Sequence, residues 1–567
     1  MRTSLLARLA LICLLAGAQG CLGPSADERL DQLIRRYVEH YWATHPEEAT
    51  AQNIHLFNTE LAPSSRQDLL AQAEKLHEFQ ERFSGIQPAS LSLEQRVDRT
   101  WVLAQISKQL MEIERLESWK RDPLRYIPFQ GLNSIIVSRY APPLSRAPHL
   151  IARLHQVERV VEDGKKNLHN PPRLLTETAI RTARSVLPFY RDTVAAFAQR
   201  APNFQDQLLE AAAQAEQALS GYADFLQEDL LPRSHGEIAI GRELYEFLLK
   251  RHHLLEMDAD QLLALGEQAF QDTLTELEEV ARQIDPAKTW QQITEDLRQL
   301  HPPRHQLLDA YCQEIRRSRR HVREHFLVTL PLREQVRCLY TPESQRAFSP
   351  FGTFQRPPPF SDTKTGYLLL HPIDPDLDTE QAEALLRHHD FTWISVIAPH
   401  ETYPGHHVQA LKAQQNPRLL RKIFSSPVFS EGWGLYCEEL AFETGYFRDP
   451  LPTRLTQLRL RLWRAARIIL DVKLHTGQIS YQEARRFLAD HVLFEEQATA
   501  GEVNIYLRRP TYVVSYLVGF QEILKLRREY RQMTGDGFSL RQFHDRLLSQ
   551  GSLPFPLARQ LLLRQPG

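Results

Sequence analysis

Eight consecutive residues, His400-Glu401-Thr402-Tyr403-Pro404-Gly405-His406-His407, set imidazoles on both sides of a carboxylate at a forced break in the backbone. Those are the groups a zinc hydrolase needs. In an HExxH helix, two histidines one turn apart hold the ion from one face, and the intervening glutamate takes a proton from the water that the ion acidifies. Here the fourth residue after His400 is Pro404, so the segment is not a plain HExxH. On a straight helix His407 would share the face of His400 but lie about 10.5 Å further along the axis, and His406 would point away. Pro404 has no N–H for the His400 carbonyl and its ring clashes with that group, so the helix must kink or stop. Gly405 can then take a backbone conformation closed to other residues, and the turn can bring either His406 or His407 back beside His400. A competing reading makes these histidines ordinary polar residues at a helix break. The density of imidazoles, and a further candidate ligand downstream, favour the metal site.

That further candidate is Glu431, in Phe429-Ser430-Glu431-Gly432-Trp433-Gly434-Leu435-Tyr436-Cys437-Glu438-Glu439. Ser426-Pro427 reads as an N-cap followed by proline at the first helical position, which puts Glu431 early in a second helix. Its carboxylate would complete three protein ligands and leave the fourth position open, as in catalytic zinc. The plainer role for Glu431 is a carboxylate favoured by the helix dipole. Glu438 and Glu439 read as a solvated helix face.

HETYPGHHVQ followed by EGWGLYCEE resembles the bacterial family called domain of unknown function 885, whose hallmark is an HExYPGHH segment and then an EGWALY-like one. The resemblance extends to Pro46–Thr50, Asn53–Leu61, Gly241–Tyr245, Ser515-Tyr516 and Gly519, and so over nearly the whole mature chain. The family is similar to mostly helical zinc peptidases of the Glu-zincin type, including the carboxypeptidase Taq and oligopeptidase groups. That likeness implies a deep cleft between two helical lobes and hydrolysis of peptides inside it. It also implies His400 and Glu431 as metal ligands and Glu401 as general base. His406, following Gly405 as the second ligand follows glycine in some relatives, is favoured over His407. Where family members tend to read PGQxxSY, this chain reads Pro510-Thr511-Tyr512-Val513-Val514-Ser515-Tyr516.

Around the metal, an oxyanion donor is required. Tyr512 and Tyr516 are four apart, so on a helix both phenols reach one side; the Ser-Tyr resemblance selects Tyr516, against a plain aromatic stripe with Phe520. His475 and Asp471, also four apart, suggest an imidazole–carboxylate pair near the site, with His475 as a catalytic candidate. Arg508 or Arg509 could clamp a terminal carboxylate.

The positioning elements read as helices. Leu30–Trp42, Leu69–Phe83, Leu93–Leu116, Pro148–Asn167 and Phe204–Glu228 carry apolar residues at three- and four-residue spacing. Between Arg337 and Asp376 the signal changes: prolines cluster at 357–359, and Gly366–His371 reads as extended, so a small β element is expected just before the metal helix, which the segment Glu380–Pro399 delivers. The fold expected is a mostly α, two-lobed helical zincin-like unit with the metal region at about 365–530. Lobes would meet in the proline-rich loops near Leu231-Pro232 or His301-Pro302-Pro303.

Composition bounds the rest. With 42% hydrophobic and 24% charged residues the chain has ample core material, and a formal charge of −2 removes the electrostatic case for nucleic acid. Arg2 and the apolar run Leu9–Ala18 read as an export signal over residues 1–20, too short to span a bilayer as a mature helix. Ala18-Gln19-Gly20-Cys21 resembles a lipobox, so the protein is expected in the periplasm or cell envelope, touching the membrane only through a lipid on Cys21 if that site is modified. Cys312, Cys338 and Cys437 are too few for a disulfide framework, though Cys312 and Cys338 could pair in an oxidising compartment.

The function expected is an exported zinc hydrolase of short peptides, with manganese or iron also suited to the ligand set. Two alternatives stand beside it: a cell-envelope protein that binds a peptide or ligand without turnover, and a metal-dependent hydrolase of a non-peptide amide or ester.

Overall fold

The computed structural model describes residues 24–342, 346, 352–493 and 495–564, so the export signal and Cys21 lie outside the described residues. It is 72% helical with 3% strand, which settles the mostly α class. Several helices begin at side-chain caps. Ser25 and Glu28 form a reciprocal capping box at the start of Ala26–Thr44, whose Leu30, Leu33, Ile34, Tyr37, Val38 and Tyr41 are buried along one stripe. The expected helix over 148–167 is instead two, Pro143–Leu154 and Val157–Asn167. At the break, the Gln156 side chain turns to bond the Leu61 N–H at 3.0 Å and the Thr59 carbonyl at 2.7 Å, anchoring an irregular segment. Among the described residues no helix is long and apolar enough to cross a membrane.

Among the described residues, two large apolar cores organise the chain, with a small third cluster of Val396, Ala441, Tyr446, Phe447 and Leu460. One is built by helices between Phe129 and Leu230, joined by Leu61 and Tyr126. The larger gathers the N-terminal helices, the sheet and the elements that carry the histidine motif. The sheet has three strands, β1 (Gln335–Tyr340), β2 (Thr353–Gln355) and β3 (Thr365–Leu370), in the order β1-β3-β2. β3 pairs parallel with β1, Gln335 opposite Thr365, and antiparallel with β2, Thr353 opposite Leu369. The extended reading of Gly366–His371 thus falls on the central, buried strand. Cys312 and Cys338 are free thiols in hydrogen-bond contact with each other.

Four helices frame the motif: the His400 helix (Phe391–Glu401), the His406 helix (His406–Gln415), the Glu431 helix (Pro427–Glu443) and the long helix Pro450–His475. The Glu431 helix crosses a C-terminal helix, Ser515–Thr534, backbone against backbone. A Cβ on Gly519 would lie 1.8 Å from the Val428 carbonyl oxygen, and one on Gly432 would lie 2.4 Å from Gly519 Cα. Gly519→Ala is therefore expected to force the two helices apart, at a cost of about 1–3 kcal/mol, and to displace Glu431. A lowered thermal midpoint is the expected result; a wild-type value would show that the crossing yields easily.

Candidate metal centre

The break in the motif is built from close approach. The His400 helix ends at Glu401, the Tyr403–Pro404 bond is cis, and a new helix starts at His406. The Gly405 N–H reaches back to the Pro399 carbonyl at 3.0 Å. A Cβ on Gly405 would sit 1.8 Å from the His400 carbonyl oxygen, while its φ is −68°. Glycine is required there because two backbones touch.

This turn brings His400 and His406 together with Glu431: one ligand atom from each lies within 4.8 Å of the others, and all three side chains are buried. His406 Nε2 is 3.6 Å from Glu431 Oε2, and the two imidazoles stand at 88° with centroids 4.9 Å apart. Each histidine is oriented from behind. His400 Nδ1–H donates to Glu438 at 2.7 Å and His406 Nδ1–H donates to Gln409 Oε1 at 3.2 Å, which leaves both Nε2 atoms as lone-pair donors. Burial disfavours charge on His400, but the hydrogen bond and charge of Glu438 outweigh it and raise its pKa. Burial likewise pushes the Glu431 carboxyl up, yet the closeness of His406, Arg356 and His400 holds it well below the usual carboxylate range. Two imidazole nitrogens, an ionised carboxylate and a carboxylate–histidine pair behind them match the donor set of a zinc-type ion.

Between the two histidines left open by the sequence, His406 is the one beside His400. His407 is turned away, as a neighbour about 100° round a helix must be. It lies edge-on to Tyr403 and Phe354, with Nε2 3.7 Å from Glu334, so its place among the metal ligands is corrected. Glu438 and Glu439 are corrected too. Glu438 is fully buried against His400, with Arg464 3.9 Å away, and Glu439 pairs with Arg454 at 2.7 Å and Arg461 at 3.3 Å. A signal for Glu438 was present: it follows Glu431 by seven residues, two turns along the same helix face.

Tyr512 and Tyr516 do not share a helix: Tyr512 lies in the turn that follows Thr511, whose φ is 65°, and the helix starts only at Ser515. Tyr512 is the phenol that reaches the site, donating to Glu431 Oε1 at 2.9 Å. Tyr516 packs edge-on against it, with the Arg467 guanidinium 4.7 Å from its ring. His475 is corrected as a catalytic candidate. It is fully buried, its Nε2–H donates to the Tyr506 carbonyl at 3.0 Å, and among the described residues its contacts are not with the converging ligands. Asp471 lies 3.7 Å from it and accepts from Tyr245 Oη at 2.7 Å and from the Thr511 N–H at 2.9 Å, holding the turn that presents Tyr512. Arg508 pairs with Asp122 at 3.2 Å, and Arg509 lies over the Tyr512 ring.

Burial raises the Asp471 pKa to about 7, against the pull of its two hydrogen bonds. A raised carboxyl contributes stability that is full below the unfolded value of about 3.9 and is lost as pH rises through the folded one. Between pH 5 and pH 8 the wild-type protein should therefore lose roughly 2–3 kcal/mol that Asp471→Asn does not lose. Thermal midpoints at the two pH values check this; parallel shifts in both proteins would show that Asp471 ionises normally.

Glu401 is half-buried and lines a cavity of about 340 Å³. Trp393 and Ile397, at four-residue spacing before it on the same helix face, line that cavity with it, and Phe354 and Leu368–Leu370 of the sheet form another wall.

No curated protein matches this chain. Among solved structures it is similar to a "putative lipoprotein of unknown function" from Shewanella oneidensis, with a TM-score of 0.79 at 22% identity over 94% of this chain and 100% of that one. It is also similar to a "putative lipoprotein" from Colwellia psychrerythraea, with a TM-score of 0.81 at 17% identity over 95% of this chain and 98% of that one. At these identities the likeness is one of fold. The family model described as bacterial protein of unknown function, DUF885, matches residues 46–562, and the chain belongs to that family.

Proposed function

We propose that this protein is a zinc-dependent hydrolase of short peptides in which His400, His406 and Glu431 hold the ion and Glu401 is the general base. The observation that carries the reading is the convergence of those three side chains within 4.8 Å beside a glutamate that opens onto a cavity. A divalent ion so held supplies Lewis acidity, acidifying a water and polarising a carbonyl. Glu401 takes the proton of the attacking water and returns it to the leaving amine. Glu438 and Gln409 keep each imidazole in the tautomer that presents Nε2. Tyr512 orients Glu431 through its hydrogen bond, and Tyr516 beside it is the candidate donor to the oxyanion. The apolar walls around Glu401 exclude bulk water and strengthen each of these charge interactions.

The reading places the protein in the cell envelope, exported by residues 1–20 and anchored through a lipid on Cys21; the likeness to two structures described as lipoproteins supports it. The test of function is metal content of the purified protein, followed by incubation with a mixed peptide library and with simple esters. Near-stoichiometric zinc with hydrolysis of peptides supports the proposal. Hydrolysis of esters alone favours the non-peptide hydrolase, and zinc binding with no turnover of either favours a binding protein.

A further inference from the structure

The cavity beside Glu401 contains a buried cation that has no partner among the described residues. Arg459 lines it from the Pro450–His475 helix and is 8% exposed. Among the described residues its guanidinium forms neither a hydrogen bond nor an ion pair, and its enclosed Nε is unsatisfied. Burial lowers its pKa to about 10, so it remains charged at neutral pH. Of the other charges around the cavity, Arg387 is exposed to solvent and the buried ones are engaged. Arg298 is held by Glu295 at 2.5 Å and by the Leu493 carbonyl at 3.4 Å; Glu495 faces His388 at 3.3 Å. Asp390 caps the His400 helix, accepting the Trp393 N–H at 2.8 Å. Asp390 and Glu295 act on this guanidinium only from a distance; one taken out of water with no carboxylate in contact is costly, and a cavity is where a ligand can supply one. Its fork of donors matches a carboxylate.

The spacing to Glu401 sets the size of that ligand. The His400 helix and the Pro450–His475 helix run side by side in the same direction. Thr392 meets Thr456 at 2.7 Å, and Glu438, bonded to His400, lies 3.9 Å from Arg464. This offset puts Arg459 level with residue 395, about 9 Å along the axis from Glu401. Two to three extended residues, at about 3.3–3.6 Å each, cover that length. Between the two ends the walls are apolar, with Trp393 and Ile397 on one helix and Leu460 and Trp463 on the other.

Resting on the peptidase reading above, we propose that this cavity is the subsite for the free carboxylate end of a short apolar peptide. Arg459 binds the carboxylate, and the two or three residues beyond the cleaved bond lie between Trp393 and Trp463, with that bond at Glu401. The substrate class is thus short peptides with an unblocked C-terminus and bulky apolar residues next to it.

The test is calorimetric titration of zinc-loaded Glu401→Gln protein with three probes: Ala-Ala-Phe-Leu, its C-terminal amide, and the C-terminal amide of Ala-Ala-Phe-Glu. The free acid is expected to bind about 10-fold or more tightly than its amide, because only the acid satisfies Arg459. Arg459→Met in the same background should bring the two close to equal, and Arg459→Lys should keep part of the preference. If the Glu-terminated amide binds as the free acid does, the subsite stands and the carboxylate it takes is a side chain. Equal binding of the acid and its amide before any change at Arg459 overturns the proposal, as does a preference undiminished in both Arg459 variants; the first comparison needs no Arg459 variant to fold. Acid preference with no peptide turnover by the zinc-loaded wild-type protein would defeat the peptidase reading and leave the carboxylate subsite in place.

Discussion

Glu401→Gln is expected to lower peptide hydrolysis by about 10²–10⁴-fold while leaving zinc content and thermal midpoint at wild-type values. The side chain keeps its size and loses only its ability to accept a proton. Glu401 is half-buried at the wall of the cavity and is not one of the three converging ligands, so neither the metal set nor the core should notice the change. Parallel measurement of zinc by mass spectrometry and of kcat/KM on a short peptide separates the two effects. Loss of zinc in this variant would make Glu401 a ligand rather than a base. Unchanged turnover would end the proposed mechanism.

The second large effect concerns two adjacent histidines that the sequence could not tell apart. His406→Ala should abolish stoichiometric zinc binding, because it removes one of three ligand atoms that lie within 4.8 Å of one another. His407→Ala should retain zinc. Its ring packs against Tyr403 and Phe354, so what that variant loses is apolar packing. Glu438→Gln should fall between them, with metal affinity reduced about 10- to 100-fold, since the His400 Nδ1–H keeps an acceptor but loses a full negative charge. Zinc retention during dialysis against a chelator ranks the three variants. Equal loss in His406→Ala and His407→Ala would mean that the turn at Pro404-Gly405 rearranges when metal binds.

The helical class, the helix start at Ser426-Pro427, the extended reading of Gly366–His371 and the break at Pro404 were all legible, because each rests on local chemistry, although Ser426 precedes its helix without a side-chain capping bond. Expectations that extended helical geometry across an unseen turn fared worse. Tyr512 and Tyr516 were placed on one helix face; their rings do meet, but the helix starts only at Ser515, so Tyr512 sits in the turn before it and is the one that bonds Glu431. His475 and Asp471 do come near each other, yet Asp471 is engaged by Tyr245 and Thr511, and that engagement makes the pair a brace for the Tyr512 turn.

Reading residues in order identifies which groups can do chemistry: a His-Glu pair at a proline break, a second helix carrying Glu431, and membership of a family that shares both. Packing decided the rest. His406 rather than His407 meets His400 because Gly405 lets two backbones touch, a fit set in three dimensions. Glu438 changes from a presumed surface charge to the partner of His400 because its helix is enclosed on every side. Arg459, which has no motif around it at all, becomes notable only when the folded chain leaves it buried in the cavity that Glu401 lines, with no partner among the described residues. Ligand identity follows from side-chain chemistry, which is local; ligand geometry and unmet charge follow from which surfaces the core brings together, which no short stretch of residues contains.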